Sequence, residues 1–243
     1  MSRLVLSLCA VTLLLPAVSF ASDDAAQRLE SLRDVNEFQP LRVEDALPME
    51  PGVQGQLTFM TADEEGRTGM LWRPEVSVGI ANRLELEVGA ELGKLDGQTE
   101  TGPFEASGLL RLNSEGAVMP GLALKASVLT PTEDVGLSGQ FGARMTKTLR
   151  VTRLHANATY TAQGDAEDRY LFGVGADTPL GGRVLLLGNA YVERLRDQAE
   201  TAVGGDAGAS WQLTDVLQLQ GAFGLQRTGT VVDPRILIGI SAG

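Results

Sequence analysis

Cysteine is almost missing from this chain: the 243 residues contain one, Cys9, in an opening stretch that export would remove. What remains has no thiol for a disulfide, a nucleophile or a lipid anchor. Histidine is as scarce, with His155 alone. One imidazole without thiols is a poor basis for a zinc or iron site, so neither a metal nor a cofactor is expected. Positive charge is also in short supply, with Lys and Arg at 20 against Asp and Glu at 31, a net charge of −11. That balance excludes nucleic acid as a partner, which would require a cationic surface. Beyond residue 15 no apolar run approaches the roughly 18–20 residues of a helical membrane span. Aromatic residues make up only 5% of the chain, so any aromatic girdle would be thin.

What is present begins with a leader. Arg3 supplies a positive start, residues 4–15 an apolar run, and Pro16 a break. Ser19-Phe20-Ala21 then offers small residues where a signal peptidase reads, which predicts cleavage after Ala21. Loss of Arg3 takes the mature chain from −11 to −12. The sequence thus divides into a signal peptide over 1–21, a periplasmic N-terminal segment over 22–52, and a main body over 53–243. The middle segment is acidic and punctuated by proline, with a weakly helical stretch near 25–33 that Ser22, Asp23 and Asp24 could cap. Two readings of it stay open: a flexible tail, or a plug that enters the body or meets a periplasmic partner.

The main body is dominated by period-two alternation, clearest over 74–94. Val76, Val78, Ile80, Leu84, Leu86, Val88, Ala90 and Leu92 form one face, and Glu75, Ser77, Gly79, Glu85, Glu87, Gly89, Glu91 and Gly93 the other. Side chains alternate across a strand, so this reads as two strands joined at Ala81-Asn82-Arg83. Successive glutamates on one face would be ruinous in a dry core. They are acceptable facing water, with the aliphatic face against lipid or a second sheet. The same pattern recurs to the C-terminus and gives about twelve strands of roughly ten residues. Short connections are expected at 81–83, 146–148, 179–182 and 214–215, with longer polar ones between them. Over 149–162 the alternation slips, which predicts a β-bulge near Thr152-Arg153. The expected fold is all-β: a transmembrane antiparallel up-and-down β-barrel of about 12 strands in the outer membrane, with a short, partly helical N-terminal segment. A soluble β-sandwich is the competing fold.

Three stretches carry a resemblance: PEVSVGIANRLELEVGAELG, GLALKASVLTPTEDVGLSGQFGARMTKTL, and the closing runs WQLTDVLQLQGAFGL and DPRILIGISAG. Together they resemble the outer-membrane barrels named for the meta-pathway of phenol degradation. The resemblance implies an outer-membrane transporter for hydrophobic or aromatic compounds, and no catalytic motif comes with it. The chain departs from many members in ending at Gly243 rather than at the terminal aromatic that barrel-assembly machinery commonly recognises.

The alternation also nominates the side chains that face the lumen. The acids are Glu75, Glu85, Glu87, Glu91, Glu105, Asp177, Glu193 and Asp206; the bases are Arg111, Lys125 and Arg144, with Arg183 a further candidate. Opposed charges across a lumen would set up a transverse field and a cation preference; mutual pairing would simply fill a small interior. His155 shares an inward phase with Asn157 and Thr159 and has no serine at a catalytic spacing, so a hydrogen-bonded lumen histidine is expected rather than an enzyme. The acidic loops near 63–65, 133–134 and 165–168 are either solvated or bind divalent cations that bridge lipopolysaccharide. The expected partners are outer-membrane lipid and lipopolysaccharide, the barrel-assembly machinery and a small-molecule solute. The function that fits is a passive channel or transporter for small solutes. A structural or interaction barrel with a closed lumen is the alternative, and a membrane-embedded hydrolase ranks third.

Overall fold

The computed structural model describes residues 46, 48 and 50–243, apart from 65–66, 96–97, 131–135, 165–167 and 197–200. The leader, the helical stretch near 25–33 and the acidic pair at 133–134 lie outside the described residues. Twelve strands follow in order: β1 (Gly52–Glu64), β2 (Arg67–Ile80), β3 (Leu84–Leu95), β4 (Gln98–Asn113), β5 (Gly121–Leu129), β6 (Ser138–Leu149), β7 (Thr152–Gln163), β8 (Arg169–Pro179), β9 (Val184–Leu195), β10 (Thr201–Gln212), β11 (Leu217–Thr228) and β12 (Val231–Ala242). Each pairs antiparallel with its chain neighbours, and β12 pairs back onto β1 from Gly55↔Ala242 to Met60↔Leu237. Closure satisfies every strand edge, which an open sheet in an apolar medium could not do.

The alternation decides which face turns inward, and it does so with the polarity of a water-soluble protein reversed. Val76 is 45% exposed while its neighbour Glu75 is 5% exposed. Val78, Leu86, Val88, Phe172, Ile236 and Ile238 also stand on the outer wall, whereas Gln54, Ser77, Ser127, Asn157 and Gln218 are buried inside. A soluble sandwich would bury the other set. A continuous apolar exterior of this kind belongs in lipid. Among the described residues, Tyr191 is the barrel aromatic that turns inward.

The chain enters β1 and leaves β12 at the same rim, here called the lower rim. The expected turn at 81–83 lies there, with Ala81 and Asn82 at φ 53° and 54° and the Arg83 N–H reaching the Ile80 carbonyl at 3.4 Å. Both central residues are left-handed, the type I′ geometry whose twist matches that of a hairpin. Other expectations need correction. Residues 146–148 are not a turn but belong to β6, and the chain reverses at Arg150 and Val151, with Arg150 at φ 60°. That reversal accounts for the phase slip, so the bulge foreseen at Thr152-Arg153 is unnecessary and β7 pairs regularly from Thr152. The irregular registers lie instead between Ala90 and Leu92 and between Arg111 and Asn113. At the upper rim, strands run further into the polar connections than expected, to Glu64↔Arg67 and Leu95↔Gln98. There β11 and β12 meet through Gly229-Thr230 alone, while the lower rim carries the longer connection 114–120.

Candidate functional site in the lumen

The inner wall of β2 to β5 is organised by Arg73. Its Nε donates to Glu75 Oε2 at 3.0 Å, and one Nη reaches Glu105 Oε2 at 2.7 Å and Glu87 Oε1 at 3.5 Å. Lys125 Nζ lies 3.6 Å from the second oxygen of Glu87. One cation from β2 thus gathers carboxylates from β2, β3 and β4, and β5 supplies a second cation. Space for this comes from a glycine: a Cβ on Gly89, which pairs with Glu75, would lie 3.4 Å from Arg73 Nε. Glu75 Oε1 is buried with no hydrogen-bond partner among the described residues. Glu85, Glu91 and Arg111 stand half-buried on the same inward phase.

A second cluster sits toward the lower rim on β6, β7 and β8. Asp177 accepts a bifurcated hydrogen bond from the Arg153 Nε–H, 3.0 Å to each oxygen, and pairs with an Nη of the same guanidinium at 2.9 Å. His155 Nε2 lies 2.7 Å from the same carboxylate, and its Nδ1 lies 3.0 Å from Thr146 Oγ1. The Ala46 N–H donates to that hydroxyl oxygen at 2.9 Å. Ala46 itself is fully buried against Leu109 and Ala123, both inward residues near the lower rim, and Pro48 is also buried. The described end of the N-terminal segment therefore lies within the barrel. Hydroxyl, imidazole and carboxylate in line repeat the order of a hydrolase relay. Here Thr146 is 0% exposed, and its oxygen also accepts from the Ala46 N–H. Both ring nitrogens of His155 thus have hydrogen-bond partners inside the barrel wall. Arg144 is on the same wall, opposite Asn157.

Opposite these walls, Arg235 grips Asp206 through Nε at 2.8 Å and an Nη at 2.6 and 2.5 Å, with its guanidinium carbon 5.4 Å from the centre of the Tyr191 ring. Tyr191 donates its hydroxyl to Gln226 at 3.1 Å. These bulky groups again lie over glycines: a Cβ on Gly204 would collide with the Tyr191 hydroxyl, and one on Gly224 with the Asp206 carboxylate. Glu193 pairs with Arg169 at 2.9 Å. Neutral groups line the wall beside them, where Gln218 donates to Ser210 and accepts from Gln220 at 3.1 Å and from Ser241 at 3.2 Å.

All twelve side chains nominated from sequence lie on the inward phase, but Arg183 does not: it sits exposed in the lower turn and donates to the Leu213 carbonyl at 3.2 Å. Sequence reasoning missed Arg73, Arg153 and Arg169 as lumen cations, although each shares the parity of a nominated or glycine position on its own strand. It also missed the apolar inward residues Leu109, Leu185, Leu187 and Leu237.

No protein-family model matches the chain, and no curated protein matches it either. The likeness to the meta-pathway barrels therefore rests on the sequence motifs. Solved structures do match. The COG4313 outer membrane channel from Pseudomonas putida F1 superposes with a TM-score of 0.67 at 12% identity, over 85% of this chain and 99% of that one. The NanC porin does so with a TM-score of 0.62 at 7% identity, over 79% and 100%. The KdgM porin gives 0.59 at 9% identity, over 78% and 98%. At these identities the likeness is one of fold.

Proposed function

We propose that the chain is a passive outer-membrane channel for small solutes, with its lower rim in the periplasm. The observation that carries this is the closed barrel with an apolar exterior and a charged, hydrogen-bonding interior. The predicted leader and the fold shared with channels and porins support the location. Within the class of small solutes, the motif resemblance points to hydrophobic or aromatic compounds, whereas the Gln, Ser and Thr lining favours polar ones. Swelling of proteoliposomes in isotonic arabinose and, separately, in benzoate tests both levels. Faster swelling than in empty liposomes supports a channel, and the faster of the two solutes identifies the class. Equal rates with and without protein would refute the proposal.

A second reading has its own observation. Ala46 seated against Leu109, Ala123 and Thr146 narrows the lumen near the lower rim and favours a closed, structural or interaction barrel. Under that reading swelling stays at the empty-liposome rate until residues 22–51 are removed.

A further inference from the structure

The outer wall carries a feature that conduction does not use. Near the upper rim of β8, β9 and β10 lies a groove of about 550 Å³ bounded by Tyr170, Phe172, Val192, Arg194, Arg196 and Thr201. The strand registers explain its composition. Tyr170 pairs with Arg194 and Arg194 with Thr201, forming one rung across three strands. Two residues further down, Phe172 pairs with Val192 and Val192 with Val203, a rung that is wholly apolar. Rungs two residues apart are separated by about 7 Å along the strand. A cationic and hydroxylic rung thus sits directly above an exposed hydrocarbon floor, of which Phe172 alone is 58% exposed. Tyr160 lengthens the upper rung, its ring centroid 5.2 Å from that of Tyr170.

The cations are held differently. Arg196 reaches Asp168 Oδ2 at 2.9 Å, an oxygen that also accepts from the Tyr160 hydroxyl at 2.8 Å. This clamp fixes one guanidinium at the head of the groove while leaving it 60% exposed. Arg194 is exposed and has no carboxylate in ion-pairing distance among the described residues. A guanidinium offers a planar fork of donors that matches phosphate oxygens, and stacked over an apolar floor it stands at the depth where a headgroup meets acyl chains.

We propose that this groove binds a phosphorylated lipid of the outer leaflet, with an acyl chain on Phe172 and Val192 and the headgroup phosphate on Arg194 and Arg196. The inference rests on the outer-membrane reading above, which places this rim at the outer leaflet, and it specifies a lipid that the barrel would carry there. It also differs from cation bridging by acidic loops, because the ligand's charge is met by arginine directly.

The test is native mass spectrometry of the full mature chain in micelles, titrated with bisphosphorylated lipid A as the probe. One retained lipid per chain is expected. The R194Q variant should retain it on the order of tenfold less strongly, and R83Q, in an exposed lower turn, should match the parent. The parent chain should also lose its preference when the probe is dephosphorylated lipid A, a comparison that needs no variant. Equal retention of the two lipids, equal retention by R194Q, or a protein dimer in place of the lipid adduct would each overturn the groove assignment. A barrel that folds and conducts yet takes up no lipid A removes this inference and leaves the channel intact. A chain that does not insert into bilayers removes both.

Discussion

Arg73 shows what a single residue does in this lumen. Glu75, Glu87 and Glu105 come within reach of one guanidinium, so their repulsion is offset at the centre of the group. Arg73→Gln should therefore release net negative charge into the lumen and raise the cation preference, read as a larger reversal potential in a KCl gradient. It should also cost about 1–3 kcal/mol of stability, the usual cost of losing hydrogen bonds to charged partners. Inward glycines make the complementary case. Gly204→Ala places a methyl group where the Tyr191 hydroxyl now lies, and it also crowds the Leu225 carbonyl at 2.8 Å. Overpacking of this kind costs about 1–3 kcal/mol, measurable as a lower urea midpoint in micelles. For the twelve nominated side chains the face was legible from parity. That of the inward Leu109, Leu185, Leu187 and Leu237 was not, because an apolar side chain does not mark its strand face as the lumen. Nor was it legible which residues meet, because contacts such as Arg73 with Glu105 depend on how neighbouring strands are staggered, and composition carries no record of that stagger.

At the level of elements, polarity proved an ambiguous signal. Residues 146–148 look like a turn because Thr-Lys-Thr is polar, but Thr146 is polar for the lumen, where it bonds His155 and Ala46. Lys147 reaches instead to the Gly116 carbonyl at 2.6 Å and Glu115 at 3.2 Å in the long lower connection. The same ambiguity shortened the strands expected at the upper rim. The hairpin at 81–83 was read correctly because apolar residues end cleanly on both sides of it. Its type I′ geometry asks for Asn then Gly, whereas the chain supplies Ala81 then Asn82. Replacing the pair by Ala81→Asn with Asn82→Gly should stabilise the barrel by about 1 kcal/mol, seen as a raised urea midpoint. In the upper connection, hydrogen bonds from Tyr160 and then Arg196 hold the Asp168 carboxyl below the usual aspartate range. A lowered folded value means that the clamp stabilises above the ordinary aspartate value and is lost as pH falls through the lowered one. Asp168→Asn should therefore narrow the stability difference between pH 6 and strongly acidic solution, measured by thermal unfolding at both.

For the whole molecule, the apolar exterior requires a bilayer and the closed sheet supplies the only edge-free way for strands to sit in one. The interior then has to be both charged and neutralised. The ion pairs of Arg73, Arg153 and Arg235 do this on three separate parts of the wall, while Ala46 occupies space near the lower rim. A barrel of about twelve strands could be read from the alternation, whereas its closure, β12 onto β1, is given by the strand registers. The seating of Ala46 and Pro48 inside the barrel could not be read from sequence, because residues 22–51 carry no period that ties them to any strand. Conduction past that segment is the central claim, and single-channel recording in planar bilayers tests it most directly, with the mature chain beside a variant lacking residues 22–51. Steady, cation-preferring steps are predicted, larger when the segment is removed. Silence from both forms, with heat-modifiable folding intact, would contradict the channel account.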